Sequence, residues 1–578
     1  MQSVDFTTLI AARAELRDRW IPARIEQIYQ RDRYTIALSL RTLQKRDWLN
    51  ISWHPQAARI CIGDPPPRVP DTFTFSDQLR HQLNGLALTN IATIAPWERV
   101  LDLQFAKRPG EEVFWHLYVE IMGKYSNVIL TDAKNQVVTC ARQISGKQSS
   151  LRTIQTGKPY DPPPILTESI PRPDESFQRW QERVSLVPGI LRKQLLANYR
   201  GLSPVLVKLM IQTAQIDPEQ STETLQKSDW KNLFQSWQTW LQALEREDFQ
   251  ACWIDGGYSV LNWGDFPQEK NVQTLLNRYY TDRLNEQTFK QLRHQFVQKL
   301  GNLLGKLRQK ARIFETRLQQ SDEADEYRQK ADLLMAYLQE WEPGMKSIVL
   351  EDFATGEPVT LTLNPEKNAV QNAQALYKKH QKLKRARTAV EPLLQEVREE
   401  IDYLEQVEAT AIQVEAYRNP EDLQALEEIR EELIAQGYLE PGKSQNRTYD
   451  RDSQPYRYQT PSGFELWIGR NNRQNDKLTF RTAGEYDLWF HTQEIAGSHV
   501  LLRLEPGTVP DEEDLQFAAD FAAYYSRGRN SDAVPVVYAR PKYVYKPKGA
   551  KPGMAIYKQE TVIWARSRRA EEYLNKAT

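Results

Sequence analysis

Few stretches of this chain hold residue types that could do chemistry, and each falls short of a catalytic or metal-binding set. Gly301-Asn302-Leu303-Leu304-Gly305-Lys306 resembles a phosphate-cradling loop, but it is one residue short, lacks the Ser/Thr and sits inside a helical pattern. It reads instead as a pair of close-packing glycines. His491 and His499 stand eight apart with no third ligand nearby, so they read as hydrogen-bonded structural histidines. Cys61, Cys140 and Cys252 lie far apart in apolar or strand-like settings, as free thiols of a reducing compartment do. HExxH, CxxC and GxSxG are all absent. The expectation is a protein with no catalytic residue, no metal site and no cofactor of its own.

What the chain does concentrate is positive charge beside aromatic rings. Overall it is neutral, with 76 Lys/Arg against 76 Asp/Glu, so any nucleic-acid case rests on local patches. From Val534 to Arg569, nine cations, Lys542, Lys546 and Lys548 among them, face a single acid, Glu560. Tyr538, Tyr543, Tyr545, Tyr557 and Trp564 interleave with them. Cations can meet phosphates while rings stack on unstacked bases, the combination a structured or single-stranded RNA surface needs. The competing reading is a half-buried sheet with solvated lysines. A second run, Lys378, Lys379, Lys382, Lys384, Arg385 and Arg387, has no acid within it and suits a phosphate backbone.

Several elements must position these patches, and the fold class expected is α+β and multidomain. Residues 1–175 read as a β-rich domain: a helix from Asp5 to about Arg19, then strands at Arg24–Tyr29, Tyr34–Leu40, Asp47–Trp53 and Ala58–Ile62. A helix at Ser76–Asn84 precedes strands at Glu98–Ala106, Val113–Ile121, Ser126–Asp132 and Gln136–Ala141. That set describes a sandwich or barrel with helices at its ends. Residues 176–284 turn helical, and Val187-Pro188-Gly189-Ile190 and Tyr199-Arg200-Gly201-Leu202-Ser203 are similar to helix–hairpin–helix turns; a plain two-helix linker is the alternative. Cys252–Leu261 reads as a strand pair that could return to complete the N-terminal sheet.

Residues 285–436 read as an antiparallel helical arm. Phe289, Leu292, Phe296, Leu300, Leu303, Leu307, Ala311, Phe314 and Leu318 recur at three and four; Leu383, Val390, Val397, Leu404 and Ala411 recur every seventh residue on the return. Ser347–Asp352 and Pro358–Leu363 alternate around Thr355-Gly356 and predict a hairpin at the tip, which brings the 378–387 cations close to it. Residues 437–578 read as a second α+β domain, with strands at Phe464–Gly469, Lys477–Arg481, Asp487–His491, Val500–Arg503, Val534–Ala539 and Thr561–Trp564 and a helix from Asp511 to Tyr525. The first residues carry Asp5, Arg13 and Glu15 without an apolar core, and no apolar run approaches the twenty or so residues that span a bilayer. A soluble cytoplasmic protein, without a membrane partner, is the expectation.

Specific motifs in these domains resemble one family. Gly469-Arg470-Asn471-Asn472-Arg473-Gln474-Asn475-Asp476, Asp487-Leu488-Trp489-Phe490-His491-Thr492 and Gly497-Ser498-His499-Val500 are similar to the RNA-binding domain of the NFACT family. Glu120-Ile121-Met122-Gly123-Lys124-Tyr125-Ser126-Asn127 resembles its N-terminal motif, and Asn364-Pro365 with Asn372-Ala373-Gln374 and the lysine run resembles its coiled-coil motif. The resemblance covers essentially the whole chain, lacking the C-terminal domain of eukaryotic members. It implies ribosome quality control: binding, as a monomer, to a large ribosomal subunit and its rRNA after a stall, while the nascent chain is still held as peptidyl-tRNA. It further implies recruitment of a charged tRNA, alanyl-tRNA in bacteria, for template-free extension, with the ribosome supplying the chemistry. By the same resemblance Glu98, Arg99, Lys124 and Asn127 would meet tRNA, and Arg470 and Arg473 would join the two cation clusters in binding RNA. Where the family carries Asp-Arg, this chain has Glu98-Arg99, longer by a methylene. The N-terminal half also resembles Fpg-type DNA glycosylases, but Gln2 and Ser3 stand where their proline nucleophile and glutamate would be. Some family members are named fibronectin-binding adhesins; no export signal or wall anchor supports that reading here.

Overall fold

In the computed structural model, all residues are described except 68–69, 148, 150–151, 165–167, 354, 442–452 and 578. They divide into two compact units, one from Met1–Gln287, the other from Thr288–Pro441 with the residues after 452.

The first unit begins with α1 (Phe6–Trp20), N-capped by Asp5, whose carboxylate accepts the Thr8 amide at 2.8 Å. One antiparallel sheet follows, with β1 (Ala23–Asp32), β2 (Thr35–Arg41), β3 (Arg46–Ser52) and β4 (Arg59–Gly63) in a meander. After α2 (Thr74–Leu83) come β5 (Ala87–Thr93), β6 (Val100–Ala106), β7 (Trp115–Glu120), β8 (Asn127–Asp132) and β9 (Val137–Cys140). The order β4-β3-β2-β1-β5-β6-β7-β8-β9 makes a single nine-stranded sheet rather than two. Ile36, Leu38, Leu49 and Ile51 from one wing share a core with Leu101, Leu103, Leu117 and Val119 from the other, so the sheet curls over one apolar centre. Sequence reading missed β5, whose Ala-Leu-Thr-Asn-Ile-Ala-Thr carries little β signal; β1 pairing holds it in place.

Next come α3 (Phe177–Ser185), α4 (Leu191–Asn198), α5 (Pro204–Thr213) and α6 (Lys227–Arg246), gathered around buried Trp180, Tyr199, Trp237 and Trp240. β10 (Cys252–Ile254) and β11 (Gly257–Ser259) form a two-stranded sheet of their own, so the strand pair does not extend the large sheet as the sequence suggested. Tyr258 and Val260 nevertheless pack into that sheet's core.

The helix α7 (Val272–Asp322) starts in the first unit and, beyond Gln287, forms the outgoing strand of the arm. It is followed by α8 (Ala324–Ala336), the tip hairpin of β12 (Ser347–Glu351) and β13 (Pro358–Thr362), and the return helix α9 (Ala369–Gln413). Ala311 and Phe314 meet Val390, Leu394 and Val397, as the periodicity predicts. The return arm stops earlier than expected: α9 ends at Gln413, and Asn419 caps a separate α10 (Pro420–Ala435) with a capping box to Asp422. Gly301 and Gly305 are exposed, and a Cβ on either would meet nothing within 4 Å, so they are not a close-packing pair; nothing in the structure explains them.

The last domain is a six-stranded antiparallel sheet ordered β14-β15-β17-β16-β18-β21: β14 (Tyr456–Gln459), β15 (Glu465–Ile468), β16 (Leu488–Thr492), β17 (Val500–Leu502), β18 (Val534–Ala539) and β21 (Thr561–Ala565). On one face lie α12 (Glu512–Tyr524) and α13 (Ser567–Ala577), the latter missed in the sequence. On the other, Val544 of the small hairpin β19 (Val544–Tyr545) and β20 (Ile556–Tyr557) packs on Trp489 and Val537. Lys477–Arg481, expected as a strand, instead ends α11 (Asn472–Lys477) and continues as a π-helical turn.

Candidate nucleic-acid interface

In the first unit, the turn after β7 presents Lys124 and Tyr125 at the rim of a cavity of about 600 Å³, lined also by Arg33, Tyr34, Trp53 and Arg142. The Lys124 ammonium lies 5.0 Å from the Tyr125 ring, and Arg33 lies 5.5 Å from Tyr34. Gly123 makes the turn possible with φ +57°, a left-handed conformation that side chains disfavour. Cations and open rings around one cavity can hold a phosphate and stack a base. Of these walls Lys124 alone was named beforehand, because Arg33, Tyr34 and Trp53 come from about seventy to ninety positions earlier in the chain; the matching dipeptides Arg33-Tyr34 and Lys124-Tyr125 were the available signal.

Asn127, expected to face RNA, is fully buried. Its amide donates to the Arg142 carbonyl at 2.8 Å and accepts the Arg142 amide at 2.9 Å, while Arg142 donates back to the Lys124 carbonyl at 2.7 Å. Asn127 thus shapes the turn rather than reaching a ligand. Glu120 in the same motif is likewise internal, bound by Arg152 at 2.5 Å and Tyr160 at 2.9 Å.

Glu98 and Arg99 also have partners within the unit. Glu98 accepts from Arg200 at 3.2 Å, with the two side chains 12% and 4% exposed, and burial pushes its carboxyl above the ordinary value against the pull of Arg200 and Arg99. Arg99 donates to the Val4 carbonyl at 3.3 Å. The second hairpin turn closes over the same place: Gly201, at φ +81°, brings its backbone against Trp97, where a Cβ would lie 2.5 Å from the ring. In the first hairpin turn, the Gly189 amide donates to Thr222 Oγ1 and the Leu191 amide to the Gln220 carbonyl. Amides engaged this way are not offered to a phosphate.

In the second unit, the Gly469–Asn475 segment is turned toward α10. Arg470 is buried, with ion pairs to Asp422 at 2.8 Å and Glu421 at 3.1 Å and its guanidinium 3.9 Å over the Tyr456 ring. Asn471 donates to Glu428 at 2.6 Å, Asn472 to Glu432 at 3.1 Å, and Arg473 pairs with Glu431 at 3.0 Å. Gln406 of α9 exchanges two hydrogen bonds with Gly497. Arg470 is therefore a bracket between domain and arm base, not an exposed RNA contact, whereas Arg473 stays half exposed beside its acid.

The cations that remain outward define the surface. Lys542 and Lys548 are exposed on or beside the β19–β20 hairpin, with Lys542 5.0 Å from the Tyr543 ring and Tyr545 44% exposed. Lys546 pairs with Asp476, and Lys551 covers the Tyr403 and Tyr438 rings at 4.6 and 4.9 Å. On the arm, Lys379 donates to the Tyr327 hydroxyl at 2.6 Å and Arg387 pairs with Asp322 at 3.0 Å. Lys378, Lys382, Lys384 and Arg385 are exposed and make no ion pair among the described residues.

His499 is buried with Nδ1 2.6 Å from Thr479 Oγ1, which also accepts from the Trp489 indole at 3.0 Å. His491 Nε2 lies 3.3 Å from the Gly497 carbonyl. Burial lowers both imidazole pKa values, that of His491 to about 4, so both are neutral structural groups at pH 7. Among the described residues, no group of three or more His, Cys, Asp or Glu could hold a metal, and no helix is long and apolar enough to cross a membrane.

The profile of the NFACT N-terminal and middle domains matches residues 5–452, and that of the NFACT protein RNA binding domain matches residues 454–558. The Rqc2 homolog RqcH of Bacillus subtilis is 30% identical over 572 residues, spanning 95% of each chain. The Rqc2 homolog RqcH of Streptococcus suis is 30% identical over 561 residues, again covering 95% of each. The solved C-terminal part of the fibronectin/fibrinogen-binding protein from Streptococcus suis is 31% identical, covering 48% of this chain and 95% of its own, with a TM-score of 0.37. Matched along nearly all of its length, with its cations and rings in the domain whose profile is named for RNA, this chain belongs to the NFACT family.

Proposed function

We propose that this protein is a ribosome quality-control factor that binds large ribosomal subunits still carrying peptidyl-tRNA and recruits charged tRNA, alanyl-tRNA first among candidates, for mRNA-independent extension of the nascent chain. The observation that carries this reading is full-length similarity to Rqc2 homologs, with outward cations in three places: the Lys124 cavity, the arm run from Lys378 to Arg385 and the Lys542–Lys548 hairpin. Phosphate contacts of this kind position an RNA without cutting it. The role is placement: a charged tRNA held beside an occupied subunit turns a bimolecular encounter into a local one, while the ribosome forms the peptide bond. In the cavity, Tyr125 would stack a base while Lys124 and Arg142 neutralise its phosphates.

The test supplies obstructed large subunits and charged tRNA to the purified protein and follows nascent-chain length without mRNA. Extension, with one tRNA species co-purifying, supports the reading. Subunit binding with no extension under any charged tRNA would refute the tailing role. Base excision from damaged DNA by the protein alone would restore the glycosylase alternative.

A further inference from the structure

We propose that the outgoing helix of the arm carries a second RNA-phosphate surface, a stripe of Lys299, Lys306, Lys310 and Arg317 that takes the backbone of helical RNA. This rests on the RNA-binding reading above and adds a surface separate from the Lys378–Arg387 run.

Charge is segregated between the two arm helices. From 288 to 318, α7 has eight Lys/Arg and a single acid, Glu315; from 391 to 413, α9 has seven acids and a single cation, Arg398. Were this only a device for pairing antiparallel helices, the cations would reach across to those acids. Arg308 does, to Glu405 at 2.5 Å, and Arg398 answers Glu315 at 2.8 Å. The four stripe residues are exposed and make no ion pair among the described residues; Lys310 only lies 5.7 Å from the Phe314 ring.

Their spacing aligns them. Lys299 and Arg317 are five helical turns apart, so they share a meridian, and Lys306 and Lys310 fall about 20° to either side. The stripe runs about 27 Å along the axis and lies about 80° around the helix from the Leu300–Leu307–Phe314 seam. It therefore flanks the helix–helix contact without being buried by it.

A protein partner would need an apolar anchor at the centre of such a surface; the exposed apolar side chain beside the row, Ile313 at 47%, lies about 40° off its meridian, at the edge and not at the centre. Nor does the row offer an open ring on which an unstacked base could sit, the means by which single strands are held. A straight row of long cations with nothing to read base edges suits the phosphates of a double helix.

The experiment uses the full chain and a short A-form RNA duplex, with binding measured by anisotropy between 50 and 200 mM salt. Replacing all four residues by Gln should weaken binding and flatten the slope of log affinity against log salt by about three. Unchanged affinity and slope would overturn the proposal. As a control for folding, the Arg-retaining set Lys299→Arg, Lys306→Arg and Lys310→Arg should bind like the natural protein; loss of binding there would also overturn it. Competition by polyglutamate as effective as by duplex at equal charge would assign the stripe to an acidic protein and refute RNA. Parallel co-sedimentation of the natural protein with large subunits separates the two readings: its failure sinks the ribosome role while leaving the duplex result to stand or fall by itself.

Discussion

Replacing Arg470 by Met tests whether the Gly469–Asn475 segment is a bracket or an RNA contact. The guanidinium is 6% exposed and its partner Asp422 is 4% exposed, so the change strands a buried carboxylate. Removing one member of a buried pair costs roughly 3–5 kcal/mol. The lower end applies here, because Asp422 keeps the backbone amides of Arg418 at 2.8 Å and Asn419 at 3.1 Å, and Glu421 is 44% exposed and can turn to water. A loss of about 3 kcal/mol lowers the melting of a unit this size by about 5 °C. Calorimetry on the full chain should show that shift in the transition of the second unit, and a second change, Asp422→Asn, should recover part of it, since the buried charge is then gone. RNA affinity measured well below the transition should keep its salt slope. A variant with unchanged melting, weaker RNA binding and a salt slope reduced by about 1 would show that Arg470 meets a phosphate and refute the bracket.

Reversal of Lys382, Lys384 and Arg385 to Glu should weaken co-sedimentation with large subunits at least tenfold and reduce its salt sensitivity, with no change in melting because all three are exposed; equal binding at several salt concentrations would rule out docking through this run. Arg99→Ala should abolish nascent-chain extension with subunit binding retained, while Arg200→Met, which leaves Glu98 without its partner, should lower melting; a matching loss of melting in Arg99→Ala would make that residue a structural group only. Because His491 has its folded pKa depressed to about 4, it contributes stability that is complete above its unfolded value near 6.5 and is lost as pH falls from there toward 4. His499 shifts in the same direction, so His491→Gln with His499→Gln should flatten the acid side of the melting-against-pH curve, and a curve of unchanged steepness would refute this assignment.

Local rules carried much of the architecture. Helix periodicity placed Phe314 against Val390 and Leu394, period-two alternation placed the tip hairpin, and the acid-free Lys378–Arg387 run was visible as a run, because each depends on residues close in sequence. Motif resemblance then supplied the family, which composition alone does not. Tertiary structure decided which polar residues face outward. Arg470 and Asn127 look like ligand-binding residues in their motifs, yet each satisfies a partner on another element, Asp422 in one case and the Arg142 backbone beyond the neighbouring strand in the other. A buried charge or amide must find such a partner, and a sequence does not announce distant pairings. The same reason hid the Glu98–Arg200 pair and the cavity joining Arg33 and Trp53 to Lys124. The α7 stripe stayed hidden for the opposite cause: its cations are interleaved with core positions, and only the known helix axis and the lack of ion pairs among the described residues show that they share one open face.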